Sequence, residues 1–88
     1  MRVPTMSVSD SAIAQIQNLP NLNAGQKNSL ISKLRAAQRS LARGQRNAAI
    51  NQLRAFINEV NALKRSHRLD AATAGALISQ AQAIINSL

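Results

Sequence analysis

Apolar residues recur along this chain three and four positions apart, which is the spacing of one buried helix face. Four segments share this pattern, and breaks near residues 20, 44 and 68 separate them. Proline, glycine or a short polar run marks each break, as is usual where one helix ends and another begins. The pattern therefore predicts four α-helices.

The first predicted helix is short and runs from about Val8 to Asn18. Ser7 and Asp10 have the spacing of a capping box at its start. The helix should stop before Pro20, because the residue that precedes a proline avoids the helical region. Its apolar face consists of Val8, Ala12, Ile13 and Ile16.

The second predicted helix begins at Asn23 and ends at Gly44. Asn23 and Gln26 again fit a capping box, and Leu22 is placed to act as a hydrophobic staple. Arg43 in the last turn suits the helix dipole, and a glycine is the usual residue just past a helix end. The apolar positions are Leu30, Ile31, Leu34, Ala37 and Leu41.

The third predicted helix covers about residues 45–66, and Phe56, the only aromatic residue, should lie at the centre of the core. The fourth begins with Leu69 as a staple and Asp70 as the N-cap. Its Gly75 costs about 1 kcal/mol relative to alanine unless a neighbouring helix packs closely there. The apolar positions of these two helices are Ala49, Ile50, Leu53, Phe56, Ile57, Val60 and Leu63, then Leu77, Ile78, Ala81, Ile84, Ile85 and Leu88.

Length and composition favour one small helical domain. A chain of 88 residues supports a single modest core, and the abundant alanine and leucine are strong helix formers. A connection of about three residues makes the second and third helices antiparallel neighbours. We therefore expect an all-α, up-and-down helical bundle of three long helices plus a short N-terminal helix. It should occupy residues 7–88, with residues 1–6 as a flexible leader or a remnant of expression.

The composition argues against an enzyme or a metalloprotein. The chain has no cysteine, one histidine and three acidic residues, so it offers little for nucleophilic, acid–base or metal chemistry. We expect no catalytic residue, no metal site and no cofactor. No apolar run approaches the roughly 18 residues that a membrane span requires.

The net charge of +8 is concentrated rather than spread. Ten of the 11 Lys and Arg residues lie within residues 27–68, where Glu59 is the only acid. Arg35, Arg39 and Arg43 recur every four residues and so share one edge of the second helix. The residues predicted to bind anions are Arg35, Arg39, Arg43, Arg46, Arg54, Lys64, Arg65 and Arg68.

This charge has two interpretations. It can form a surface for nucleic acid, an acidic polysaccharide or an anionic lipid surface. It can also be a solvated surface that keeps an alanine-rich bundle soluble, and the cluster from Lys64 to Arg68 suits a helix C-terminus. Two long helices do not fit a helix-turn-helix motif, and no aromatic residue is left for stacking on bases, so base-specific recognition is not expected.

Two segments of this chain are the most telling for a family resemblance: Gly25-Gln26-Lys27-Asn28-Ser29-Leu30 and Phe56-Ile57-Asn58. With the segments around them, they resemble the FIMAH domain, a small α-helical domain at the C-terminus of many secreted bacterial multidomain proteins. The resemblance covers about residues 8–88. It implies an accessory role beside extracellular enzymes and adhesion-type domains, and it supplies no site residues. This chain departs from the pattern where positions 35, 39, 43 and 54 are arginine instead of mixed or acidic.

Three functional hypotheses follow. The first is a non-enzymatic helical accessory module of a secreted bacterial protein, extracellular, with neighbouring domains as partners and an arginine face that contacts anionic polymers. The second is a free-standing, cytoplasmic, small basic protein that binds nucleic acid non-specifically. The third is a self-assembly module that associates through the apolar face of the fourth helix (Leu77, Ile84 and Leu88), with burial of that face in its own core as the simpler alternative.

Overall fold

Four α-helices make up the described part of the chain. The structure, a computed structural model, describes the backbone of residues 5–88 and the side chains of residues 10–88. The helices are α1 (Thr5–Gln17), α2 (Ala24–Ala42), α3 (Arg46–Arg65) and α4 (Ala71–Asn86), and no strand occurs in residues 5–88. The predicted all-α bundle with a short first helix is confirmed.

The predicted start of α1 is wrong. Ser7 was expected to cap the helix, but α1 already includes Thr5, so Ser7 lies inside it. Neither Thr5 nor Met6 is a helix breaker, so the capping signal at Ser7 does not prevent an earlier start. Two expectations fall outside the described part of the structure. One is the place of the Val8 side chain on the apolar face, and the other is the leader at residues 1–4.

The predicted N-terminus of α2 is confirmed in atomic detail. The Gln26 backbone N–H donates to Asn23 Oδ1 at 2.7 Å, and the Asn23 backbone N–H donates to Gln26 Oε1 at 3.1 Å. Two amide groups that the helix cannot satisfy are thus paired reciprocally. Leu22, the expected staple, is buried.

The connection between α2 and α3 is a tight turn at Gly44, whose φ is +73°. The Gln45 backbone N–H donates to the Ser40 carbonyl at 2.8 Å, and the Gly44 N–H donates to the Leu41 carbonyl at 3.0 Å. These two bonds define a Schellman motif, which requires a left-handed residue at the position of Gly44. The chain reverses here, so α2 and α3 run antiparallel.

Each helix packs against two neighbours: α2 against α3, α3 against α4, α4 against α1, and α1 against α2. The backbones of the two diagonal pairs do not come within 8 Å of each other (Cα to Cα) in the described residues, so the helices occupy the corners of a square around a shared core. The bundle measures 36 × 23 × 18 Å. The outward faces of adjacent helices consequently point in different directions.

The core lies on the axis of this square, with Phe56 fully buried as predicted. Leu41, Ile57, Ile78, Ile85 and Leu88 are only partly buried at its margins. The remaining predicted apolar positions with described side chains are buried, except Ile50, which is partly buried. No helix in the described part of the chain is both long and apolar enough to cross a membrane.

Candidate anion-binding surface

The arginine row on α2 is exposed along its whole length. Arg35, Arg39 and Arg43 are spaced by about 6 Å along the helix axis, since a helix rises about 1.5 Å per residue. Leu30 and Leu34 of the same helix are buried, so the row projects away from the core. Within the described residues, none of the three side chains forms a hydrogen bond or an ion pair.

The acidic residues are engaged elsewhere. Glu59 Oε1 lies 2.8 Å from Lys33 Nζ and accepts a hydrogen bond from Ser29 Oγ at 2.9 Å, which ties α3 to α2. Asp10 Oδ1 accepts from Gln38 Nε2 at 2.8 Å, between α1 and α2. Within the described residues, neither carboxylate forms an ion pair with the arginine row.

Asp70, the third acid, caps α4 as predicted. Its Oδ1 accepts a hydrogen bond from the Thr73 backbone N–H at 3.2 Å. Hydrogen bonds from the side chain and the backbone of Thr73 lower the pKa of Asp70 below its usual value. The residue is therefore a helix cap and not a partner for the arginines.

Arg46 is held by a structural contact. Its Nη1 donates to the Leu88 carbonyl at 3.1 Å and so joins the start of α3 to the last residue after α4. Gln45, the N-cap of α3, makes no side-chain cap hydrogen bond. The amides of the first turn of α3 thus add to the positive potential near Arg43, although Arg46 itself already has a partner.

Arg54 lies on a different face of the bundle from the arginine row. Glu59 marks the edge of α3 that faces α2, because it contacts Ser29 and Lys33 there. Arg54 precedes Glu59 by five residues, which is about 140° around the helix at 3.6 residues per turn. The predicted addition of Arg54 to the field of the α2 row is therefore weak.

The cluster of Lys64, Arg65 and Arg68 lies at the opposite end of α3 from Gly44. All three side chains are exposed. Arg68 lines a cleft of about 330 Å³ between the α1–α2 and α3–α4 connections, together with Leu19 and Pro20. The eight residues predicted to bind anions thus separate into the α2 row, the two α3 positions Arg46 and Arg54, and this end cluster.

A stripe of asparagines on α3 was missing from the sequence predictions. Its spacing of alternately four and three residues was visible in the sequence, but a search for charge passes over uncharged amides. No asparagine of the stripe forms a side-chain hydrogen bond within residues 10–88. The stripe, with its two arginines, is Asn47, Asn51, Arg54, Asn58, Asn61 and Arg65.

The apolar stripe of α4, considered above as a surface for self-assembly, packs inside the bundle. Leu77 and Ile84 are buried in the core of the bundle and Leu88 is partly buried, so this stripe contributes to the core of its own bundle.

Residues 10–88 contain no group of three or more His, Asp or Glu side chains that could hold a metal ion. His67 is exposed in the turn after α3.

Comparison with known proteins gives one family match. A family model described as the FIMAH domain matches residues 10–86, from within α1 to the end of α4. No curated protein and no solved structure gives a significant match.

Proposed function

The chain belongs to the FIMAH domain family, and we propose that it is a non-enzymatic accessory module of a secreted bacterial protein whose α2 arginine row holds an anionic polymer. Membership in the family supports a small accessory domain within a larger parent protein. The extracellular location and the neighbouring domains are part of the proposal. The arginine row on α2 is the observation that carries the choice of ligand.

The row has the physical properties of a polymer contact. Like charges four residues apart destabilise a helix by about 0.2–0.5 kcal/mol per pair, and no acid relieves Arg35, Arg39 and Arg43. A chain of regularly spaced anions removes that repulsion and releases its own condensed counterions when it binds. Guanidinium groups also pair with phosphates and carboxylates through two parallel hydrogen bonds. The row therefore suits a repeating anion better than a small isolated one.

The test is the salt dependence of binding to short duplex DNA, measured by fluorescence anisotropy. Duplex DNA is a defined anionic polymer, and the logarithm of its affinity falls by about 0.9 per phosphate contact for each tenfold rise in salt. Replacing Arg35, Arg39 and Arg43 together with glutamine should flatten the slope by about 2.7 units if each contacts one phosphate. Glutamine keeps the helix propensity, so the fold should be retained.

A matched control has the same change in charge outside the α2 row. In the control, Lys27, Arg54 and Arg68 are all replaced with glutamine. The proposal requires the α2 variant to lose more of the salt slope than the control. Equal losses in the two variants, or no binding at low salt by the unmodified protein, would overturn it.

A further inference from the structure

The outer face of α3 is a continuous polar stripe about 27 Å long, at 1.5 Å per residue. Of its six side chains only Asn61 is half-buried, and the other five are exposed. Their positions follow the helical repeat without interruption, so all six share one face. The members are Asn47, Asn51, Arg54, Asn58, Asn61 and Arg65.

Helix stability does not explain these asparagines. Asparagine is a poorer helix former than alanine, glutamine or lysine, because its side chain competes for backbone hydrogen bonds. None of the four amides forms a side-chain hydrogen bond within the described residues. The stripe carries no carboxylate either, since Glu59, the only acid of α3, contacts Lys33 at the α2 edge. The face therefore presents amide donors and acceptors that have no protein partner within the described residues, together with positive charge.

The stripe ends in a shallow, open groove of about 410 Å³ between side chains of α3 alone, and it is lined by Asn58, Asn61, Lys64 and Arg65. We propose that this groove binds a uronic-acid unit of an acidic polysaccharide. The proposal rests on the proposed function, a module that holds an anionic polymer, and it names the class of that polymer.

The chemistry of the four side chains matches such a sugar unit. The Arg65 guanidinium can hold the carboxylate through two parallel hydrogen bonds, and the Lys64 ammonium adds a second positive charge. Each asparagine amide offers both a donor and an acceptor, and a sugar hydroxyl is likewise both. The two cations thus suit the carboxylate of a uronic acid, and the two asparagine amides suit its hydroxyl groups.

A phosphate polymer fits the groove less well. Ionised phosphate oxygens only accept hydrogen bonds, so they offer no donor to the carbonyl oxygens of Asn58 and Asn61, which would keep water as their partner. Bases would have no aromatic side chain to stack on, because Phe56, the only aromatic residue, is buried in the core. The amides therefore favour a hydroxyl-rich polyanion over nucleic acid.

The experiment compares two fluorescent probes: a short oligogalacturonate, which carries carboxylates and hydroxyls, and polyphosphate of similar charge, which has no hydroxyls. In the test variant, Asn58→Ala is combined with Asn61→Ala. Its affinity for oligogalacturonate should fall by about fivefold or more, the effect of losing at least one ordinary hydrogen bond. Its affinity for polyphosphate should fall by less, since the charge is unchanged and phosphate oxygens can pair only with the amide donors.

The control variant combines Asn47→Ala with Asn51→Ala at the other end of the stripe and should bind the short oligogalacturonate normally. Alanine favours the helix at all four positions, so a loss of binding does not arise from unfolding, which circular dichroism checks. Equal weakening of both probes, or no weakening of either, would overturn the groove. If oligogalacturonate affinity falls only in the variant that lacks Arg35, Arg39 and Arg43, the groove proposal is overturned and the proposed function stands.

Discussion

His67 occupies, after α3, the same left-handed position that Gly44 occupies after α2. The φ angles are +63° for His67 and +73° for Gly44. Both turns are Schellman motifs: after α3, the Arg68 N–H donates to the Leu63 carbonyl at 2.9 Å, and the His67 N–H donates to the Lys64 carbonyl at 3.1 Å. Only one of the two turns has the residue that adopts this conformation without strain.

Replacing His67 with glycine should therefore stabilise the domain. A left-handed conformation costs a residue with a side chain about 1 kcal/mol, so His67→Gly should raise the free energy of unfolding by about that amount. Gly44→Ala should lower it by a similar amount, although no atom lies within 4 Å of an added Cβ there. Urea unfolding measures both, and a loss of stability in His67→Gly would contradict the explanation.

The core depends on Phe56, which is fully buried. Phe56→Ala should lower the free energy of unfolding by about 3–5 kcal/mol, because it removes a large apolar side chain and leaves a cavity. That loss is a large part of the stability of a domain of this size. Thermal unfolding followed by circular dichroism measures the effect, and Phe56→Leu should cost clearly less. A near-neutral Phe56→Ala variant would contradict the packing.

Gly75 is exposed on the outer face of α4, and no atom lies within 4 Å of where a Cβ would be. The close packing that could have justified a glycine in mid-helix is absent, so Gly75→Ala should raise the free energy of unfolding by about 1 kcal/mol. Gly25→Ala is the matched control, since its added Cβ would lie 3.4 Å from Asn23 Oδ1, an atom of the capping box. Gly25→Ala should raise the free energy of unfolding by less than Gly75→Ala does, and urea unfolding of both variants measures the difference.

Asp70 should make stability depend on pH in the acid range. Its pKa is lowered in the folded protein, because Thr73 donates hydrogen bonds to the carboxylate. A lowered folded pKa means that the stabilisation is complete above the ordinary value of 3.8 and is lost as the pH falls through the folded pKa. Asp70→Asn keeps the cap but does not titrate, so it should lose less stability between pH 7 and pH 2.

That comparison is made by thermal unfolding of the two proteins at a series of pH values. Asp10 and Glu59 are present in both, so their contributions cancel in the difference. Parallel curves for the unmodified protein and the Asp70→Asn variant would contradict the role of the charged cap.

The elements that the sequence predicted well are those whose signals lie within a few residues. Asn23 and Gln26 form their capping box with each other, and Asp70 caps α4 through Thr73, three residues on. The apolar repeat placed Phe56 in the core for the same reason, since it depends only on helical geometry. The predicted start of α1 was wrong because the capping signal at Ser7 is present, but Thr5 and Met6 before it are also helical.

Spacing alone was likewise enough to place Arg35, Arg39 and Arg43 together on α2, and it could have revealed the asparagine stripe of α3. Both sets lie on single helices, where 3.6 residues per turn decides which side chains are neighbours. The sequence did not show that Arg54 faces away from the α2 row, because that depends on how α3 is turned against α2.

The local order of residues thus determined the four helices, most of their ends and the rows of side chains on each. Only the packing of the helices decided which cations remain available to a ligand. Lys27 Nζ donates to the Gln17 carbonyl, 10 residues away, and Arg46 reaches the Leu88 carbonyl across 42 residues. Lys33 meets Glu59 from a different helix. The physical reason is that such pairs form only when the burial of apolar faces brings distant segments together.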